Sequence, residues 1–358
     1  MSVCVYGGSY RLVKKSGVGQ AIDHQKKVLE SAGVNVRDKI EYDTDIVHIN
    51  TVFPDAFFTA LRARAGHKKI IYYGHSTMQD FRQSFCGSNL LSHLFLRWIK
   101  ICYSFGDVVI TPTPYSKNLL IDSGVHRKII PLSNGVDTSF FRPDPDGRRR
   151  FREKYGIAPD EKVVISAGHY FHRKGILEFI ETAREMPDVK FIWFGHTPLN
   201  IVPADVRRGI KNAPDNLILP GFISQEELAD AYRGCDLFLF LSHEETEGIV
   251  VLEALASKAP SLVRDIPVYS GWLEDGKNVY KASCHSEFTA KIRGILDGTL
   301  PDLTDEGLKV AENRSIGQIA DKMLDIYQRL ETEPAVHYGH FSRIRPFRRL
   351  KHALRING

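Results

Sequence analysis

Cysteine is scarce. The 358 residues hold five, Cys4, Cys86, Cys102, Cys235 and Cys284, and none stands in a CxxC pair or at a Cys/His metal-ligand spacing. This argues against a disulfide framework and a structural zinc site, and predicts buried thiols in a reducing compartment. Long apolar runs are missing too: no stretch reaches the ~18 uninterrupted apolar residues of a spanning helix. The opening Met1-Ser2-Val3-Cys4-Val5-Tyr6-Gly7-Gly8 lacks a basic n-region, a long apolar core and a cleavage site, so it reads as a strand ending in glycines rather than a signal peptide. Neither charge sign dominates. With 48 basic and 43 acidic side chains the net charge is +5, which admits an anionic partner without choosing among nucleotide, nucleic acid and acidic lipid.

A chain of this length exceeds the size at which one core stops growing, so two domains are expected. Apolar strands alternate with helical patterns: Val3 to Tyr6, Ile46 to Ile49, Lys69 to Tyr73, Val108 to Thr111 and Lys128 to Pro131, then Val163 to Ser166, Phe191 to Phe194, Leu217 to Leu219, Leu237 to Leu241 and Ser261 to Val263. Such alternation predicts an α/β protein with two Rossmann-like parallel sheets. Prolines and a basic run, Arg142 to Arg150, mark an exposed linker and a hinge. The expected division is 1–145, 146–315, a helix over 316–335 that returns to the first domain, and a tail over 336–358.

Chemistry concentrates between Leu237 and Asp265, where a buried strand is followed by Ser242-His243-Glu244-Glu245-Thr246-Glu247-Gly248 and the apolar helix from Ile249. Glu245 and Glu253 stand eight residues apart, which in a helix would be ~12 Å. Carboxylates working on one glycosidic bond lie only ~5–9.5 Å apart. The pair therefore suits the two ends of an extended ligand, with the amides of Gly248, Ile249 and Val250 offering phosphate a helix N-terminus between them. An N-capped helix with acidic residues in its first turn explains the same spacing.

Other candidates sit at strand ends. His75 follows a strand and Gly74, so it projects at the carboxyl edge where open α/β sheets bind ligands; surface or packing roles are the ordinary alternative. Ser16-Gly17-Val18-Gly19 precedes a helix starting near Gln20, either a simple turn or a close backbone approach to a ligand. Arg173 and Lys174 open a helix whose dipole cations would oppose unless an anion lies between, although solvated cations are common there. Ser224 and Glu227 fit a capping box.

Two segments carry amphipathic signals. Over Ser88 to Tyr103, Leu90, Leu91, Leu94, Phe95, Trp98, Ile99 and Cys102 recur at helical spacing. They form either a helix packed on its own sheet or a membrane-facing surface anchored by Trp98 and flanked by Arg97 and Lys100. In the tail, Phe341, Ile344, Phe347, Leu350 and Leu354 interleave with Arg343, Arg345, Arg348, Arg349, Lys351 and Arg355, and no acid follows Glu333. A solubilising tail and a nucleic-acid arm compete with a segment lying on an anionic membrane, and membrane is preferred because no other nucleic-acid motif occurs.

Glu245-x7-Glu253 followed by Ala254-Leu255-Ala256 resembles the EX7E signature of the retaining glycosyltransferases of family 4, which have the GT-B fold. The fuller string from Glu244 to Ala256, with Val263-Arg264-Asp265-Ile266-Pro267-Val268-Tyr269, is similar to the bacterial enzymes that glycosylate diacylglycerol or glucosyl-diacylglycerol. Asp45-Ile46-Val47-His48 and Asn134-Gly135-Val136-Asp137 also match the family. The resemblance implies that Glu245 holds sugar hydroxyls, Glu253 the ribose, Gly17 and the helix amides the diphosphate, and that Lys174 neutralises the leaving group. His75 would lie near the reacting sugar and the base against Gly221-Phe222-Ile223-Ser224. One departure stands out: His169 occupies the place of the usual arginine, with Arg173 as its substitute.

The expectation is a hexosyltransferase using UDP-glucose or UDP-galactose, with retention, no metal and no further cofactor, working on a membrane glycerolipid from the cytoplasmic face of the cell membrane. Whether Glu245 forms a covalent adduct or the acceptor enters on the departing face stays open. The short start and His75-Ser76-Thr77 lean toward enzymes adding a second hexose to glucosyl-diacylglycerol. A transferase building a capsule or other envelope glycan, or a catalytically silent membrane-surface module, are the alternatives.

Overall fold

The computed structural model describes residues 1–14, 17–82, 84 and 88–332. The basic tail with Arg343, Arg345, Arg348, Arg349 and Lys351, together with Ser16 and Cys86, lies outside the described residues.

Strands β1 (Ser2–Tyr6), β2 (Asn35–Arg37), β3 (Ile46–Ile49), β4 (Lys69–Tyr73), β5 (Val108–Thr111) and β6 (Lys128–Pro131) form one sheet in the order β2-β1-β3-β4-β5-β6. Strands β7 (Val163–Ala167), β8 (Lys190–Phe194), β9 (Leu217–Gly221), β10 (Leu237–Phe240), β11 (Ser261–Arg264) and β12 (Tyr280–Ala282) form the other, ordered β12-β11-β10-β7-β8-β9. Every pairing is parallel. The sequence pattern located all but β2 and β12, three-residue edge strands too short to show a period of two.

These strands read as continuous apolar runs because both sheet faces are covered. Val3 and Val5 of β1 face a core with Ile22 and Tyr327, while Cys4 between them packs with Ala56 and Ala60 on the other side. In β10 the same alternation sends Phe238 and Phe240 into one cluster and Leu237 and Leu239 into the other. The helix Ile316–Thr332 closes the first half, burying Ile319, Met323, Ile326, Tyr327 and Leu330 against the β1–β5 face. Tyr327 hydroxyl meets His48 Nδ1 at 2.5 Å.

The region read as an exposed linker is instead a helix, Pro145–Tyr155, with Phe151 and Arg152 buried. Its arginines carry ion pairs, Arg150 with Asp230 at 2.6 Å and Arg148 and Arg152 with Asp236 at 3.2 and 3.3 Å, although Arg149 and Arg150 stay exposed. Asp144 caps this helix by accepting from Asp146 N at 3.1 Å, so proline at its first turn starts the helix instead of breaking it. Of the cysteines, Cys4, Cys102 and Cys235 are buried, whereas Cys284 is exposed beside the start of the helix His285–Leu296.

The amphipathic segment forms the helix Ser88–Ser104, and its orientation corrects the expected anchor. Trp98 is half-buried, donates its indole N–H to Val52 O at 2.6 Å and packs on Phe57. The outward face belongs to Leu90, Leu91 and Leu94, with Leu90 86% and Leu94 65% exposed; Arg97 is exposed and Lys100 half-buried.

Candidate active site

In the second sheet the strand order reverses between β7 and β10, the switch point at which such sheets bind ligands beyond their carboxyl ends. A cavity of about 620 Å³ opens there, walled on its other side by the first half. After β7 the chain runs through Gly168 and His169 into a tight turn, His172–Lys174. Gly175 ends that turn at φ +78, where a Cβ would lie 2.5 Å from Leu241 Cβ and 2.6 Å from Leu241 O. Only glycine lets the turn approach β10 so closely. His243 N and Ser242 Oγ then donate to Arg173 O at 2.7 and 3.1 Å, joining the two loops.

That joining puts Lys174 Nζ in contact with Glu245 Oε1. Burial would raise the Glu245 carboxyl, but Lys174 and then Arg173 outweigh it and hold it below its ordinary value. Burial pulls the Lys174 ammonium down, against the opposing pull of Glu245. Ammonium and carboxylate in direct contact favour the ionised pair. Gly248, at φ +90, begins the helix Ile249–Ala256 with no side-chain cap, and Gly248, Ile249 and Val250 line the cavity. Their amides remain available to an anion.

Other candidates divide. Gly17 lines the cavity and begins the helix Gly17–Ser31, three residues earlier than the sequence suggested. His75 lines it too, with Nε2 at 3.3 Å from Asn50 Oδ1 and its ring stacked on Tyr73. Burial, helped by His48, lowers the His75 pKa to about 3, so the ring is neutral near pH 7. Glu253 is fully buried and is not among the residues lining the cavity. Its Oε2 accepts from Tyr232 at 3.1 Å, Oε1 has no partner, and burial lifts the carboxyl to about 8. Arg173 lines the cavity but is engaged by the first half, pairing with Asp80 at 3.0 Å and donating to Ser84 Oγ at 2.9 Å.

Phe222, Ile223 and Ser224 line the far end. Ser224 Oγ accepts from Glu227 N at 3.2 Å, whereas the Glu227 carboxylate turns to Tyr155, so half of the expected capping box forms. His169 is held by His196 O at 3.0 Å and by contact with Phe171 and Phe222. Sequence reasoning missed three carboxylates on the cavity wall, Asp23, Asp80 and Glu247. Asp23 and Asp80 stand in no recognisable pattern. Glu247 lay inside the quoted acidic string, and its signal was a third acid before the helix glycine.

Two Rossmann-like sheets facing a cleft, with a basic turn opposite a carboxylate and a helix N-terminus, define a GT-B transferase framework. Residues 147–313 match the family described as glycosyl transferases group 1, and residues 23–140 match Glycosyltransferase Family 4. The chain is 38% identical over 331 residues to processive diacylglycerol alpha-glucosyltransferase of Acholeplasma laidlawii, covering 92% of this chain and 98% of that one. It is 27% identical to alpha-galactosylglucosyldiacylglycerol synthase of Streptococcus pneumoniae over 88% of this chain and 87% of the relative. This chain belongs to glycosyltransferase family 4. Anabaena HepE in complex with UDP and glucose superposes with a TM-score of 0.75 at 17% identity, over 92% of this chain and all of that one. Sucrose-phosphate synthase from Thermosynechococcus elongatus gives 0.70 at 18%, over 86% and 77%. Both likenesses establish the GT-B fold.

Proposed function

We propose that this chain transfers a hexose from UDP-glucose or UDP-galactose to a membrane glycerolipid, diacylglycerol or its monoglucoside, retaining the anomeric configuration and using no metal. The observation that carries this reading is the contact of Lys174 with Glu245 beside the uncapped amino end of Ile249–Ala256, all on one wall of the cleft. Breaking a sugar–diphosphate bond releases negative charge on the leaving group and positive charge on the sugar carbon. Lys174 and the helix amides meet the first, and preorganised groups of this kind supply most of the rate.

Glu245 takes the sugar hydroxyls, while neutral His75 lines the reaction centre. Glu253, buried beneath the cavity wall with one unpartnered oxygen, would reach a ribose hydroxyl only if the start of Ile249–Ala256 shifts when the nucleotide enters. Arg173, anchored by Asp80 and Ser84, adds positive potential from the cavity wall. The lipid acceptor is supported by the two diacylglycerol-glycosylating relatives and by the apolar face of Ser88–Ser104. There Leu90, Leu91 and Leu94 would enter the headgroup layer beside Arg97, with the basic tail adding attraction to acidic lipid at the cytoplasmic surface.

The test is incubation of purified protein with labelled UDP-glucose and UDP-galactose, vesicles of anionic lipid, and either diacylglycerol or its monoglucoside, with EDTA present. A labelled α-linked glycolipid supports the reading. A β-linked product, a requirement for metal, or no transfer to either lipid refutes the corresponding part.

A further inference from the structure

The loop between β10 and the helix Ile249–Ala256 belongs to the second half, yet much of its outer edge is bonded to the first. Glu244 accepts from the Tyr115 hydroxyl at 3.0 and 3.1 Å, and Thr246 O accepts from Thr113 Oγ1 at 2.9 Å. The strongest attachment is Glu247. One oxygen accepts from Ser133 Oγ; the other accepts from Asn134 N at 3.0 Å and Asn134 Nδ2 at 2.6 Å. The side chain is 2% exposed, and Ser133 and Asn134 follow β6 of the first sheet. A carboxylate can take several donors at once, and the side chain is nearly enclosed. Two residues earlier on the same loop stands Glu245, which faces the cavity and Lys174.

We propose that Glu247 is a positioning residue: by gripping Ser133 and Asn134 it fixes the loop that carries Glu245, so that sugar transfer proceeds only while the two halves are docked. This rests on the transferase reading above. When the halves part, all three donors and the carboxylate are exposed to water together, which makes the grip reversible between turnovers. The role needs the hydrogen-bonding shape of Glu247, not its charge. Glutamine reproduces that shape: its carbonyl replaces the oxygen serving Asn134, and its amide donates to Ser133 Oγ, reversing that one bond. Alanine reproduces none of it.

The experiment compares the full chain with Glu247→Ala, Glu247→Gln and the double variant Glu247→Ala/Asn134→Ala, using UDP-sugar and glycerolipid vesicles. Glu247→Ala is expected to lower kcat about tenfold or more while KM for the UDP-sugar stays within about twofold, and Glu247→Gln to recover to within about threefold of the parent. The double variant should be little worse than Glu247→Ala alone, as for two members of one contact. Full turnover by Glu247→Ala, a Gln variant as slow as the Ala variant, or additive losses overturns the proposal. If the parent transfers no sugar at all, the transferase reading fails and the grip is read separately by small-angle scattering with UDP bound. A larger radius of gyration for Glu247→Ala than for the parent and Glu247→Gln supports it, and equal radii overturn it.

Discussion

Lys174 and Glu245 touch although 71 residues separate them, one in the turn after β7 and the other in the loop after β10. Neither is more than slightly exposed, at 14% and 9% of the side chain. The contact exists because Gly175 lets the turn lie against Leu241 and because Arg173 O is bonded from both Ser242 and His243.

Removing either member therefore has two effects. Lys174→Ala is expected to reduce kcat by about 10²–10³-fold, the usual scale for losing one preorganised charge-stabilising group. It also strands a buried carboxylate, at a cost of about 3–5 kcal/mol. Initial rates and urea melts of the same preparation separate the two. Unchanged turnover in a folded Lys174→Ala protein would sink the assigned role.

Glu253 gives a pH signature. Its folded pKa, about 8, lies above the ordinary carboxylate value because of burial, with the Tyr232 bond only partly offsetting this. Such a group costs nothing below the unfolded pKa; stability declines as pH rises toward 8, since the unfolded chain ionises first. Glu253→Gln removes that decline. Melting temperatures of parent and variant should diverge steadily between pH 5 and about 8. Parallel curves would count against a neutral Glu253.

The two buried histidines act on the acid side. Burial lowers both His48 and His75 to about 3, with His48 adding to the effect on His75. Their stabilising preference for the neutral form is whole above the unfolded value of ~6.5 and is lost as pH falls through the interval down to about 3. Thermal melts from pH 7 to 4 should therefore drop, and His48→Gln should flatten the drop. An identical slope in the variant would contradict it.

On the first half, the exposed leucines and the neighbouring tryptophan are expected to behave oppositely. Leu90→Glu/Leu94→Glu should weaken sedimentation with anionic vesicles by at least about tenfold while leaving the melting temperature nearly unchanged. Trp98→Ala should cost about 2 kcal/mol or more, because its ring packs on Phe57 and its N–H serves Val52 O. Vesicle binding that follows Trp98 and ignores the leucines would reverse this assignment.

Much of this architecture was readable from residue pattern, because parallel strands buried on both faces are continuous apolar words and their helices supply the spacing between. Edge strands β2 and β12 escaped, being three residues long. The helix Pro145–Tyr155 was mistaken for a linker because prolines and a basic run open it, and the acids that pair with those arginines, Asp230 and Asp236, stand some eighty residues away. The cavity wall was legible where one local string carries it, as with Glu245 and Gly248, whereas Glu253 of the same string is buried away from the cavity. Contacts across the cleft were not: Asp80 with Arg173, and Glu247 with Ser133 and Asn134, depend on how two sheets face each other. Periodicity on Ser88–Ser104 located an amphipathic helix but not its rotation, which the indole bond to Val52 decides.

The final helix has an implication for how relatives could exchange parts. Val136 is bridged to Ser315, with Val136 N donating to Arg314 O and Ile316 N to Val136 O, and beyond that point the chain rejoins the first sheet. A hybrid that imports a foreign second half needs two seams, one just before residue 136 and one just after 315, with both ends from a single parent. A single seam anywhere between them pairs one parent's β1–β5 face with the other's Tyr327, and the mismatch falls in the core rather than at the catalytic cleft.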